Sequence, residues 1–210
     1  MKLNRAGRHK GESVWILSHG RELVGSTGEI LVTDYNKSTA EVVDLWAPER
    51  FSLPGRLVYT LKRKPLSRLD GYDIYPGQSS APIVTERLKC ALEAFCEPEE
   101  VAFRECEIVN DRGERRIAWN IYPTQVKPCV DRSLSLAVWG HSTQKPGVSW
   151  IEEAEKVVFL KECLGMANMV RVDEYPNWIA FSTRLKEIIE AFNSKGIDFR
   201  SDSIEILSIT

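Results

Sequence analysis

A thiol, a carboxylate and an imidazole stand in one short segment of this chain, at Cys129, Asp131 and His141. Folded together, they would form a nucleophilic site of the kind a small thiol-dependent hydrolase or transferase uses, with the imidazole taking the thiol proton and the carboxylate orienting the imidazole. The plainer assignment is preferred. Within Cys129-Val130-Asp131-Arg132-Ser133, Cys129 reads as a small buried hydrophobe and Asp131 as a turn or cap residue bonded to Arg132 or to a backbone N–H. The three histidines, His9, His19 and His141, lie far apart in sequence and two of them adjoin glycine, so no metal triad is expected. Cys90, Cys96, Cys106, Cys129 and Cys163 are odd in number and lack C-x-x-C spacing. They read as reduced thiols and not as a disulfide framework or zinc site. No catalytic residue, cofactor or metal is assigned.

Two basic clusters, Lys62-Arg63-Lys64-Pro65 and Arg112 with Arg115 and Arg116, are of the right type to touch phosphate. They have no aromatic stacking pattern beside them, and Asp111 and Glu114 dilute the second, so they read as a solvated strand end and a hairpin tip. A net charge of -2 and a pI near 6.0 give no broad field for a nucleic-acid backbone or an anionic membrane. No apolar run approaches the roughly 18 residues that span a bilayer, and MKLNRAGRHKGES has no signal-peptide core. A cytoplasmic protein is expected. Among the six tryptophans, Trp119 and Trp178 fall in apolar strand patterns. Trp46, Trp139 and Trp150 adjoin loop signals, which makes them the candidate partner-binding residues.

The elements that must position these residues are dominated by a repeat. Ile83 to Arg104, IVTERLKCALEAFCEPEEVAFR, returns at Ala180 to Arg200 as AFSTRLKEIIEAFNSKGIDFR. Thr85 aligns with Ser182, Arg87-Leu88-Lys89 with Arg184-Leu185-Lys186, Glu93-Ala94-Phe95 with Glu190-Ala191-Phe192, and Phe103-Arg104 with Phe199-Arg200. In each copy a short apolar strand ends at a hydroxyl residue suited to cap the following helix. Leu88, Ala91, Leu92 and Phe95, and likewise Leu185, Ile188, Ile189 and Phe192, recur at i, i+3, i+4 and i+7, which places each set on one helical face. The first helix should stop before Pro98 and the second at Asn193-Ser194-Lys195-Gly196.

Elsewhere strands prevail. Val14–Gly20 and Gly28–Tyr35 are expected to pair, Ala40–Trp46 forms a third strand, and Arg56–Pro65 closes the set at a proline. Leu66–Ser80, with Gly71, Pro76 and Gly77, reads as a linker. Asn110-Asp111-Arg112-Gly113 joins Val101–Val109 to Arg115–Tyr122 in a hairpin. Ser135–Gly140 is a strand leading into a Gly/Ser/Pro-rich loop from Gly140 to Ser149. Lys156–Glu162 fits a strand or the end of a helix begun at Ser149; read as a strand, it is expected to pair with Met169–Glu174 across Cys163–Asn168, and Ser203–Ile209 is a last strand. The fold class is α+β, with an N-terminal β-rich region over 1–71 and a domain over 72–210 built on two strand–helix–strand units with mainly antiparallel strands.

The order of these motifs resembles a bacterial domain of unknown function found in immunity proteins of polymorphic toxin systems. The residues that carry the resemblance are Val84-Thr85-Glu86-Arg87-Leu88, Asn120-Ile121-Tyr122-Pro123, Cys129-Val130-Asp131-Arg132-Ser133, and Phe181-Ser182-Thr183-Arg184-Leu185 with Gly196-Ile197-Asp198-Phe199. It covers about Tyr72 to Leu207. One departure is Thr183, which stands in the second copy where the first has Glu86. The resemblance implies a protein that binds and neutralises a cognate protein toxin by stoichiometric inhibition, without catalysis or cofactor. An adaptor within a secretion system would differ only in its partner.

Overall fold

The computed structural model describes residues 13–19, 32–33, 57–61, 64–75, 81–141, 149–175, 178–192, 197–201 and 203–205. In chain order the strands are β1 (Val14–His19), β2 (Val32–Thr33), β3 (Leu57–Leu61), β4 (Ile74–Tyr75), β5 (Ile83–Val84), β6 (Val101–Asn110) and β7 (Arg115–Pro123). They continue with β8 (Val126–Lys127), β9 (Leu136–His141), β10 (Ser149–Val158), β11 (Met169–Val172), β12 (Ile179–Ser182), β13 (Ile197–Ser201) and β14 (Ser203–Glu205). Helix α1 spans Glu86–Phe95 and α2 spans Thr183–Ala191. The architecture is mixed α and β, mostly strand. Its three sheets run β2-β3-β6-β7-β5-β4, β13-β1-β12-β11-β8 and β14-β10-β9, and all pairs are antiparallel except β3 with β6 and β8 with β11.

The two helices begin as their caps dictate. Thr85 Oγ1 accepts from Leu88 N at 3.2 Å, and Ser182 Oγ accepts from Leu185 N at 3.1 Å. Each bond satisfies one of the N–H groups that a helix start leaves without a partner. Leu88 and Leu92, and Leu185 and Ile189, are buried in one shared core with Val84, Ile121, Met169, Ile179 and Phe181. Lys89 and Lys186 each pair with the glutamate four residues on, Glu93 and Glu190.

The correspondence extends into the sheets. In the first copy β7 lies between β5 and β6, with Val84 opposite Trp119 and Arg104 opposite Asn120. In the second, β1 lies between β12 and β13, with Phe181 opposite Trp15 and Arg200 opposite Ile16. Trp15 is thus the register counterpart of Trp119. The Lys89 ammonium sits over Phe103 and Trp119, at 5.6 and 4.5 Å from the ring centres, and Lys186 sits over Phe199 and Trp15 at 5.9 and 4.3 Å. The helices also exchange contacts, Arg87 lying 5.0 Å over Phe192 and Arg184 lying 4.8 Å over Phe95.

Two further cores flank this one. Tyr59, Leu61, Leu66, Leu69, Tyr75, Ile83, Cys106 and Ile108 form one, and Val14, Ile16, Cys129, Val130, Ile151, Val157, Phe159 and Val170 belong to the other. The hairpin of β6 and β7 forms as expected at Asn110, whose Oδ1 accepts from Arg112 N and Glu114 N at 3.0 Å each. Gly113 takes φ +78°, a backbone state open to glycine at little cost.

Several expected pairings differ. β1 takes β12 and β13 as partners and not Gly28–Tyr35, whose described part, β2, pairs with β3. The reason is burial: Val14 and Ile16 are buried and Trp15 is half-buried, so the strand suits a central position covered on both faces. Strands of residues 1–71 are therefore ladder partners of strands of residues 72–210, in β1 with β12 and β13 and in β3 with β6. Leu66–Tyr75, the described part of the expected linker, is not loose. Leu66–Leu69 is a turn of 3-10 helix with both leucines buried, and Asp73, Ile74 and Tyr75 are buried too; residues 76–80 lie outside the described residues. Lys156–Glu162 does not pair with Met169–Glu174. Its strand starts earlier, at Ser149, and takes β9 and β14, while β11 takes β12 and β8. The run Glu152-Glu153 and two register shifts in β10 conceal the strand's alternation from a local reading. The expected strand Ala40–Trp46, the helix end at Asn193–Gly196 and the last residues of Ser203–Ile209 lie outside the described residues.

Candidate functional site

The Cys-Asp-Arg-Ser motif follows β8 and runs beside the end of β10. Cys129 O accepts from Leu160 N, Asp131 N donates to Val158 O, and Val130 bridges Phe159. Buried Glu174 holds this turn, its carboxylate accepting from Cys129 N at 2.9 Å and from Val130 N at 3.3 Å. Cys129 is fully buried, and the hydrogen bond with Cys163, together with burial, pushes its thiol far above the ordinary range. Such a thiol supplies no thiolate at neutral pH.

The Asp131 carboxylate is occupied locally. It accepts from Ser133 Oγ at 2.6 Å, Ser133 N at 2.9 Å and Leu134 N at 3.2 Å, and the Ser133 bonds hold its pKa below the ordinary carboxylate value. His141 is exposed and lies opposite Ser149, the first residue of β10, whereas Cys129 adjoins Leu160 just past the other end. A strand of this length separates them by about 30 Å. The three groups that could have made a nucleophilic centre are not brought together. Cys129 packs in the core, and Asp131 holds a turn.

The partner candidates diverge as well. Trp46 lies outside the described residues. Trp139 stands opposite Ile151 and packs, half-buried, against the core on that side, with the Arg132 guanidinium 4.3 Å over its ring and bonded to Ser149 Oγ. Trp150 stands opposite Gly140, one position along, and so on the other face of the sheet, where it is 37% exposed. A Cβ on Gly140 would come within 2.5 Å of the Trp150 ring, so only glycine lets the indole lie across β9. That outer face also bears Leu136 and Val138, exposed by 59% and 54%. Sequence reasoning did not single these two out. The signal was present in Ser135–Gly140, whose alternation opposes Leu136 and Val138 to Ala137 and Trp139.

The hairpin arginines are engaged: Arg115 pairs with buried Glu107 at 3.1 Å and Arg116 with Asp70 at 2.8 Å. A shallow cleft lined by Lys127, Pro128, Leu160, Lys161, Glu162 and Cys163 lies beside the Cys129 turn. Among the described residues no group of three or more His, Cys, Asp or Glu side chains is placed to hold a metal ion, and no helix is long and apolar enough to cross a membrane.

The profile of an immunity protein family, Imm11, matches residues 12–202, from just ahead of β1 to the junction of β13 and β14. The chain belongs to the Imm11 immunity protein family. The match takes in β1, so the Imm11 unit includes the strand that completes the second copy. Immunity against a toxin is the role that membership carries in general, and a toxin is the general class of partner. No curated protein matches the chain.

Proposed function

We propose that this Imm11 protein binds a cognate bacterial toxin one to one in the cytoplasm and neutralises it by covering its active site or another essential surface, without catalysis. The observation that carries the reading is the family match over residues 12–202. Residues 72–210 then form a duplicated strand–helix–strand module, to which residues 1–71 add β1, β2 and β3, and the module acts as a rigid support for a binding surface. Trp46, Trp139 and Trp150 are the tryptophans assigned to that surface, with Trp150 its most exposed described member.

The test is a growth assay. The C-terminal region of the protein encoded beside this chain is expressed with and without it. Arrest by that region alone, recovery on co-expression and co-purification of the two in equal amounts are the expected results. A harmless neighbour, or rescue without a stable complex that is abolished by Cys129→Ala in a folded protein, would overturn inhibition by binding.

A further inference from the structure

The sheet β14-β10-β9 ends at β9, which among the described residues has a ladder partner on one side only. Natural sheet edges are usually blunted by lysine, proline, an inward charge or a bulge, because bare backbone groups invite another strand. β9, Leu-Ala-Val-Trp-Gly-His, carries no lysine, proline or acid, and the register shifts of this pair are on β10. Beside the bare edge the outer face is apolar, with Leu136 and Val138 exposed by more than half, Leu134 at 61% just ahead of them, and Trp150 held flat over Gly140. Isolated exposed leucines are ordinary, but Leu136 and Val138 side by side with Trp150 next to an edge that has no partner among the described residues are not. The flanking charge has one dominant sign. On β10, Glu152, Glu153 and Glu155 are exposed and Glu153 stands opposite Val138, against a single base, Lys156.

We infer that the toxin docks here by adding a strand to β9, through a segment that alternates apolar residues with lysine or arginine. The inference rests on the functional reading above and names its surface and the chemistry of its partner. Main-chain bonds along β9 supply the pairing, as in other strand-addition complexes, while the apolar residues meet Leu136, Val138 and Trp150 and the cations meet the β10 glutamates. Charge of this kind speeds encounter and fixes register, and it makes binding sensitive to salt.

The experiment titrates the full chain with the C-terminal toxin region encoded by the adjacent gene, in an inactivated form. Leu136→Lys/Val138→Lys is expected to weaken binding by about 30-fold or more, and Leu136→Asp/Val138→Asp by about tenfold less than that. Both variants should melt within about 3 °C of the parent, since the sites are exposed. Full-strength binding by the lysine variant overturns this surface while leaving toxin inhibition standing, and equal losses in the two variants overturn the cationic partner. Absence of binding and of growth rescue by the parent chain removes the functional reading and this inference with it. A parent chain that is dimeric by light scattering, and that the lysine variant makes monomeric, assigns the edge to a second copy and overturns the toxin as occupant.

Discussion

The two helix-bearing copies share a framework down to single positions, yet each solves the same local problem with different atoms. At the helix start, Thr85 N donates to Asp73 O at 3.0 Å, and Ser182 N donates to Asn168 O at 2.9 Å. Asp73 then spends its buried carboxylate on Thr85 Oγ1 and on the Arg87 guanidinium, whereas Asn168 turns its side chain to the carboxylate of Glu100. The middle-strand tryptophans differ in the same way. Trp15 Nε1 donates to Thr183 Oγ1 at 3.1 Å, while the buried Nε1 of Trp119 has no hydrogen-bond partner among the described residues, and the first copy has Glu86 where the second has Thr183. The lesson is that apolar spacing, caps and the lysine over paired aromatics define the copy, and the polar wiring around them was free to diverge.

Five measurements follow from that parallel and its limits. The largest effect belongs to what the copies share. Leu185→Asp and Leu88→Asp each place a lone carboxylate in the common core, where both leucines are 1% exposed or less, and both are expected to abolish folding. An unchanged melting temperature in either would sink the common core. Next comes the divergent wiring: Asp73→Ala should cost about 2–3 kcal/mol through loss of charge-assisted bonds, and Asn168→Ala about 1 kcal/mol. Urea melts giving the opposite order would mean that the Glu100 link is the stronger of the two.

The tryptophan contrast predicts a loss in one copy and a gain in the other. Thr183→Val leaves Trp15 Nε1 without an acceptor and should cost about 1 kcal/mol, while Glu86→Thr offers one to Trp119 and should gain up to about 1 kcal/mol. If neither moves the urea midpoint, the indole bond carries no weight. The smallest effect is alkaline. Burial pushes the Cys96 and Cys106 thiols up to about 12 from 9.0, so the folded state keeps protons that the unfolded state releases. Their contribution is therefore full below pH 9 and is lost as pH rises from 9 toward 12. Cys129, in the core with Val14, Ile16 and Ala180, is shifted in the same direction, so urea midpoints should fall as pH rises from 9 toward 12. In a native thiol titration at neutral pH, Cys90, exposed, should react fast and the four buried cysteines only on unfolding.

Local order was legible in the sequence wherever the deciding contacts were local. Thr85 and Ser182 cap helices whose apolar faces were read from spacing alone, and Asn110 and Gly113 declared their hairpin. Partners at long range were not legible. The alternation in Val14–His19 marks a strand, but nothing in those residues says that its neighbours are Ile179–Ser182 and Ile197–Ser201, since pairing depends on which surfaces remain after the helices have packed. Leu66–Leu69 was misread for the opposite reason: Gly71 and Pro65 punctuate the chain strongly, and two buried leucines between such signals leave no periodic trace. At the candidate site, the burial of Cys129 and the turn bonds of Asp131 are local features that residue type and spacing suggest. The edge at Leu136 and Val138 could be recognised only once β9 was seen to end a sheet among the described residues.

The place of β1 has a consequence for synthesis. Ribosomes deliver residues in order, and Trp15 meets Thr183 across a separation of 168 residues, so the strand that completes the second copy is made first and used last. The first copy, with α1, β6 and β7 adjacent in sequence, has low contact order and can close while the chain is still emerging. The second must wait for β12 and β13, holding β1 in reserve until then. Protection by a newly made molecule therefore lags its own translation by the time this one long-range closure takes.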